Sequence, residues 1–264
     1  MTASAPVPAV YATGDGPPLV LLHGVGTDHR AFRPQSIRLA RRFRILAWDM
    51  PGYGCSPPIV PLDWSALADA LARLLDKEKI DRAHILGHSI GGMVAQTFAV
   101  RHPGRIHSLI LSATSPAFGR PDGDWQREFV RQRLAPLETG KTLADLAEAT
   151  IGGLVGPKAS KSAREFAQAC MGQVPVAAFA AAIRLIVTFD GRADLPRIGC
   201  PTLVLAGACD TNAPAEMMEK MAGKIAGAKF VSLPDCGHLA NLEDPGAFDA
   251  AVLAFLDSTE PPHA

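Results

Sequence analysis

The sequence predicts an α/β protein, with a mostly parallel twisted sheet flanked by helices on both faces and a helical segment inserted into it. Three observations carry this reading. Short apolar runs alternate with longer helical patterns over most of the chain, which argues for a parallel sheet with helices on both sides. The runs are continuously apolar rather than alternating in polarity, as expected of strands buried on both faces. Between about Ser115 and Leu195 the alternation stops and only helical patterns remain.

Taken in order, "PLVLLHG" (18–24) is a buried strand ending in a glycine turn, and "RILAWDMPG" (44–52) repeats that profile. The intervening "FRPQSIRLARR" has helical character. "DWSALADALARLLDKEKI" (63–80) is a strongly amphipathic helix in which Leu67, Leu71, Leu74 and Leu75 share a face and Asp63 caps the start. "AHILG" (83–87) is a third strand, "IGGMVAQTFAVRH" (90–102) its helix, stopped by Pro103, and "RIHSLILSA" (105–113) a fourth strand. The pattern resumes with strand "PTLVLAG" (201–207), helix "APAEMMEKMAGKI" and strand "AKFVSLP" (228–234). It closes on helix "DPGAFDAAVLAFLDS" (244–258), begun by Asp and Pro, followed by a short polar tail, "STEPPHA". About eighty residues without structure are implausible in a compact domain. The stretch 115–194 is therefore expected to be a helical cap over the carboxyl ends of the strands, with 1–114 and 195–264 as the core.

The bulk numbers narrow the function classes. Lys plus Arg and Asp plus Glu both number 26, so nothing points to nucleic acid or an anionic membrane as partner. The N-terminal "MTASAPVPAVYATGDGPP" lacks the basic and apolar regions of a secretory signal, and no apolar run is long enough to span a bilayer. Five scattered cysteines, Cys55, Cys170, Cys200, Cys209 and Cys236, have no metal-type spacing and read as reduced thiols in a cytoplasmic protein. No metal or organic cofactor is expected, and oligomeric state leaves no mark in the composition.

"Gly-His-Ser-Ile-Gly" (87–91) is a G-x-S-x-G sequence lying between a strand and a helix. That context calls for a tight, strained turn that exposes the Ser89 hydroxyl, with Gly87 and Gly91 leaving room for neighbouring backbone and Gly92 letting the helix pack closely. A serine nucleophile needs a base. Of eight histidines, His84 lies inside a strand, His88 is the variable residue of the turn and is expected to point elsewhere, and His102 and His107 lie far from the strand tips. His238, in "LPDCGHLANLEDP", follows the last strand at the same sheet edge as Ser89 and is the predicted base. Asp210, directly after the strand 201–207, is the predicted orienting acid, because Asp235 shares the histidine's own loop and Asp244 looks like a helix cap. The oxyanion donors are expected to be the backbone N–H groups of Ile90 and of Val25, the latter in "HGVGTD" (23–28).

At this point the chain resembles the α/β-hydrolase superfamily, through "LLHGVGTD", "WDMPGYGCS", "GHSIGG", "LVLAGACD" and "GHLANLEDP" in matching order and spacing. The resemblance covers nearly the whole length. It implies an eight-stranded sheet with a helical cap after the sixth strand, although only about seventeen residues precede "LVLLHG", so the first strand is expected to be short or missing. Within the superfamily the chain most resembles small bacterial serine esterases, 3-oxoadipate enol-lactonases, meta-cleavage carbon–carbon bond hydrolases and cofactor-free perhydrolases. A serine at 89 argues against the dehalogenases, whose nucleophile is aspartate.

The expected substrate is a small carboxylic ester or lactone. Hydrolysis of a carbon–carbon bond next to a ketone, enol-lactone hydrolysis, and a non-catalytic small-molecule receptor on the same fold stay open as alternatives. Trp125, Phe129, Phe179 and Phe189 are candidate walls of an apolar pocket, with cap-to-core packing as the other explanation. His23 is a candidate substrate contact or, as the stronger reading, a brace of the oxyanion loop. Asp49 is read as a turn organiser, Tyr53 as a pocket wall, and Cys209 and Cys236 as small packing residues. Among Arg127, Arg131, Arg133 and Arg184, mostly a solvated face, one is a candidate partner for a substrate carboxylate.

Overall fold

The apolar runs do become strands, and the computed structural model, which describes residues 5–119 and 123–259, joins them in one sheet. Its strands are β1 (Val10–Thr13), β2 (Pro18–Leu22), β3 (Arg44–Trp48), β4 (Ala83–His88), β5 (Ile106–Ser112), β6 (Thr202–Gly207) and β7 (Lys229–Leu233). They stand in the order β1-β3-β2-β4-β5-β6-β7. All neighbours are parallel except β1, which runs antiparallel to β3 with Val10 opposite Trp48.

The helices are α1 (Arg33–Leu39), α2 (Trp64–Lys77), α3 (Ile90–Arg101), α4 (Asp124–Glu138), α5 (Leu143–Gly152), α6 (Lys161–Met171), α7 (Val176–Ile186), α8 (Ala215–Ala222), α9 (Ala240–Glu243) and α10 (Pro245–Asp257). Asp63 caps α2 through Ala66 N–H at 2.7 Å, and Asp244 caps α10 through Ala247 N–H at 2.9 Å. Four helices, α4 to α7, fill the stretch between β5 and β6 where the strand pattern lapses.

The sheet has seven strands among the described residues, one fewer than the resemblance implies. The edge ladder stops where Ala9 gives its N–H to the Ser56 hydroxyl at 2.7 Å instead of to a strand. The one strand ahead of β2 escapes a search for apolar runs because three of its four residues are exposed. The polar tail beyond Thr259 lies outside the described residues, as do the first four residues.

Successive residues of each strand feed two separate cores, which is why the runs are apolar throughout. Val20, Leu22, Ile85, Leu109 and Val204 pack beneath α2, α3 and α8. Leu19, Leu21, Leu86, Ile110 and Leu203 pack beneath α1 and α10, against Leu39, Phe248, Val252 and Leu256. The predicted stripe Leu67, Leu71, Leu74 and Leu75 is fully buried. With both faces covered, the carboxyl ends of the strands are the natural place for a site.

Candidate active site

Ser89 sits between β4 and α3 with φ 55° and ψ −119°, a region that costs a residue with a Cβ free energy and is kept only where its surroundings enforce it. Here the enforcement is specific. Ser89 N–H donates to the Ser112 carbonyl at 2.9 Å, and the Thr114 hydroxyl donates to the Ser89 carbonyl at 2.7 Å. A Cβ on Gly91 would lie 2.2 Å from the Leu22 carbonyl oxygen, and one on Gly92 2.6 Å from Thr114 Cβ. The start of α3 thus wedges directly against the tips of β2 and β5. Gly92 N–H turns back to the Ser89 carbonyl at 2.9 Å, whereas the N–H of Ile90, at the first position of α3, has no acceptor within the helix.

Across the sheet, the loops after β6 and β7 bring Asp210 and His238 together. His238 Nδ1 lies 2.7 Å from Asp210 Oδ2, while Asp210 Oδ1 accepts the N–H groups of Asn212 and Ala213 at 2.8 and 3.0 Å. Burial alone pushes this carboxyl up. The hydrogen bond and charge of His238, with the two backbone N–H groups, more than offset that and hold it below the usual carboxylate range. The rivals for the acid's part are engaged elsewhere: Asp235 pairs with Lys158 at 2.6 Å, and Asp244 caps α10. Ser89 and His238 line one cavity, and neither the Ser89 hydroxyl nor His238 Nε2 hydrogen-bonds another described residue.

That cavity, about 590 Å³, lies between the strand ends and the inserted helices. Val25 lines it, as do Trp125, Phe129 and Phe179 from the candidate walls. Phe189 does not: it is buried with its ring 4.7 Å from that of Trp64, which makes it packing rather than pocket. His23 does not line it either. Fully buried, it spends Nδ1 on the Gly24 carbonyl at 2.8 Å and Nε2 on Met50 N–H at 2.9 Å, which fixes a neutral tautomer and leaves nothing for a substrate. Burial likewise lowers its pKa.

Tyr53, expected as a wall, is buried beneath the same loop and donates its hydroxyl to the Val25 carbonyl at 3.0 Å. His23 and Tyr53 together therefore brace the loop 23–28 from below. Asp49 organises the neighbouring turn, accepting from His29 N–H at 3.1 Å and Cys55 N–H at 3.3 Å. The five cysteines are free thiols, and Cys209 is exposed rather than packed.

Two residues of the site escape a reading of the sequence. His88 does not point away: it lines the cavity with its ring 5.1 Å from that of His238. Burial, then the neighbouring His238, pushes its pKa down to about 3, so it is neutral at ordinary pH. Glu243 is the other. Its carboxylate accepts Gly237 N–H at 3.0 Å, Leu239 N–H at 3.0 Å and, from the inserted segment, Gly156 N–H at 2.7 Å. His238 N–H donates in turn to the Leu154 carbonyl at 2.7 Å. The backbone on both sides of His238 is therefore stapled to residues 154–156. The motif "GHLANLEDP" contains Glu243, but an acid beside a helix-capping aspartate gives no sign of three convergent N–H donors.

Comparisons with known proteins identify the family and the fold. A model described as "Alpha/beta hydrolase family" matches residues 19–251. The pimeloyl-[acyl-carrier protein] methyl ester esterase of Chromobacterium violaceum is 31% identical over 94% of this chain and 98% of its own. The 3-oxoadipate enol-lactonase 1 of Acinetobacter baylyi is 27% identical over 93% and 91%. A thermophilic esterase from Thermogutta terrifontis, solved with malate bound, superposes with a TM-score of 0.87 at 32% identity, covering 96% of this chain and 94% of that one.

Proposed function

The chain belongs to the alpha/beta hydrolase family, and we propose that it is a serine hydrolase of small carboxylic esters or lactones that works through an acyl-enzyme. The observation that carries this reading is the buried Asp210–His238 contact of 2.7 Å at the edge of the cavity that Ser89 lines. Relatives named for ester and lactone hydrolysis support the same class of bond.

In this reading Ser89 Oγ attacks the substrate carbonyl carbon while His238 Nε2 takes the hydroxyl proton. Catalytic hydrogen bonds are commonly long or open before substrate binds, so the Ser89–His238 contact closes in the complex. Asp210 holds Nδ1–H and stabilises the imidazolium that forms. The negative oxygen of the tetrahedral intermediate meets the N–H groups of Ile90 and Val25, each worth about 2.7–4 kcal/mol of transition-state stabilisation. His238 then protonates the leaving alcohol oxygen as the C–O bond breaks, leaving the acyl group on Ser89. Water attacks that ester with His238 as base, and the acid leaves as Ser89 regains its proton.

The Ser89→Ala variant tests the assignment with p-nitrophenyl acetate and butyrate. Turnover is expected to fall by at least about four orders of magnitude, the order that loss of such a nucleophile costs. Turnover near the wild-type rate would remove Ser89 from the reaction.

A further inference from the structure

The inserted helices carry one cation that the cavity does not balance. Elsewhere on α4, Arg127 holds Asp124 and Arg131 holds Glu128. Arg133 has no such partner among the described residues. Its guanidinium carbon lies 3.4 Å over the Phe129 ring, and its one polar contact is a long 3.4 Å donation to the Phe129 carbonyl. The side chain is half-buried and lines the same cavity as Ser89 and His238. Burial disfavours its charged form and pulls its pKa down from the ordinary value, yet a guanidinium stays protonated in proteins. A partly desolvated, planar cation with most of its donors unused is a site for a carboxylate, which accepts two parallel N–H bonds.

The surroundings narrow the ligand. Among the described residues lining this cavity Arg133 is the sole Lys or Arg, which suits a monoanion better than a phosphate dianion. Glu128, the acid among the described lining residues, is already occupied by Arg131 at 2.6 Å and Gln132 at 2.8 Å. Other walls of the cavity, Phe118, Phe179 and Ile183, are apolar and suit methylenes rather than further polar groups.

We propose that Arg133 is an anion-binding subsite, and that the preferred substrates are esters or lactones bearing a free carboxylate separated from the reacting carbonyl by an apolar spacer. The proposal rests on the hydrolase reading above and deepens it.

The test compares mono-p-nitrophenyl esters of linear dicarboxylic acids of about four to eight carbons with the same esters methylated at the far carboxylate. For the best-fitting length, kcat/KM for the anion is expected to exceed that for its neutral partner about ten- to a hundredfold, the range that a hydrogen bond to a charged group supplies. That ratio should collapse toward one in Arg133→Gln and recover in part in Arg133→Lys. Equal rates for anionic and neutral esters at every length, or a ratio unchanged in Arg133→Gln, would overturn the proposal. Adipate binding, read by calorimetry against the uncharged and unhydrolysable hexane-1,6-diol, reports the subsite without turnover. Adipate bound by the wild type and lost in Arg133→Gln supports the subsite even if every ester resists hydrolysis, an outcome that would sink the hydrolase reading instead. Adipate bound no better than the diol, alongside ready ester turnover, sinks the subsite alone.

Discussion

At the scale of single residues, the site depends on groups held in place by backbone that few alternatives would satisfy. Ser89 keeps its left-handed φ because two hydrogen bonds and two glycines leave it no other fit. Gly91→Ala should therefore drive a methyl group into the Leu22 carbonyl and abolish activity together with much of the fold's stability, read by activity and thermal unfolding together. A soluble variant with wild-type Tm and rate would contradict the close approach. Tyr53→Phe makes a subtler change, removing the hydroxyl that braces the Val25 carbonyl. We expect a several-fold fall in kcat with KM little altered and a stability loss of about 1 kcal/mol, the net worth of one hydrogen bond. An unchanged kcat would separate Tyr53 from any part of the loop 23–28 in the reaction. Asp210→Asn leaves the shape but offers Nδ1–H of His238 a mixed partner, and a fall in kcat of about four orders of magnitude is expected.

The same scale explains what was legible beforehand. Ser89, Asp210 and His238 are each announced by a strand that ends in a turn, so chain order alone pointed to one edge of the sheet, where Asp210 meets His238 and Ser89 lines the same cavity. His88, Phe189 and Tyr53 were misplaced because which way a side chain leaves a turn or a loop is set by tertiary packing, not by its neighbours in sequence.

At the scale of elements, the segment 154–156 and the histidine loop form one unit. Glu243 satisfies N–H donors from both, and a Cβ on Gly237 would lie 2.4 Å from the Leu154 carbonyl oxygen. Glu243→Ala would leave those donors unsatisfied at a cost of about 1–3 kcal/mol each where water cannot reach them. The expected result is a lowered Tm and a kcat that falls further than KM changes, with Glu243→Gln intermediate because its carbonyl oxygen still accepts. If Glu243→Ala were as stable and active as the wild type, the staple would be incidental. Helix α2 and its Asp63 cap were readable from periodicity and a capping residue. Strand β1 was not, since an exposed edge strand needs no apolar run. The inserted helices were visible as helices, but which of their side chains line the cavity depends on how α4 and α7 lie over the sheet.

For the whole molecule, buried neutral histidines predict an acid limit. His84, buried in β4 and hydrogen-bonded to the Ser108 hydroxyl at 2.8 Å, is pushed by burial, then by His107, to about 4 from an ordinary 6.5. Because the folded pKa is the lower one, the unfolded chain binds the proton first. The stabilisation is intact above pH 6.5 and is lost as pH falls from there toward 4, with a slope of up to about 1.4 kcal/mol per pH unit for one proton. Urea unfolding between pH 7 and 4.5 should show this decline, and His84→Gln should flatten it. An equal slope in both proteins would mean that His84 takes no part. No single helix among the described residues is long and apolar enough to cross a membrane, and equal numbers of acidic and basic residues leave the surface without a net charge to steer ligands.

The whole account turns on Ser89 being the nucleophile that His238 activates. The most direct measurement is peptide mapping by mass spectrometry after treatment with a p-nitrophenyl phosphonate, which transfers its phosphonyl group to an activated serine. One adduct per chain is expected, on Ser89, forming in step with loss of activity and slowed by orders of magnitude in His238→Ala. An adduct on another residue, or equally fast labelling without the imidazole, would contradict it.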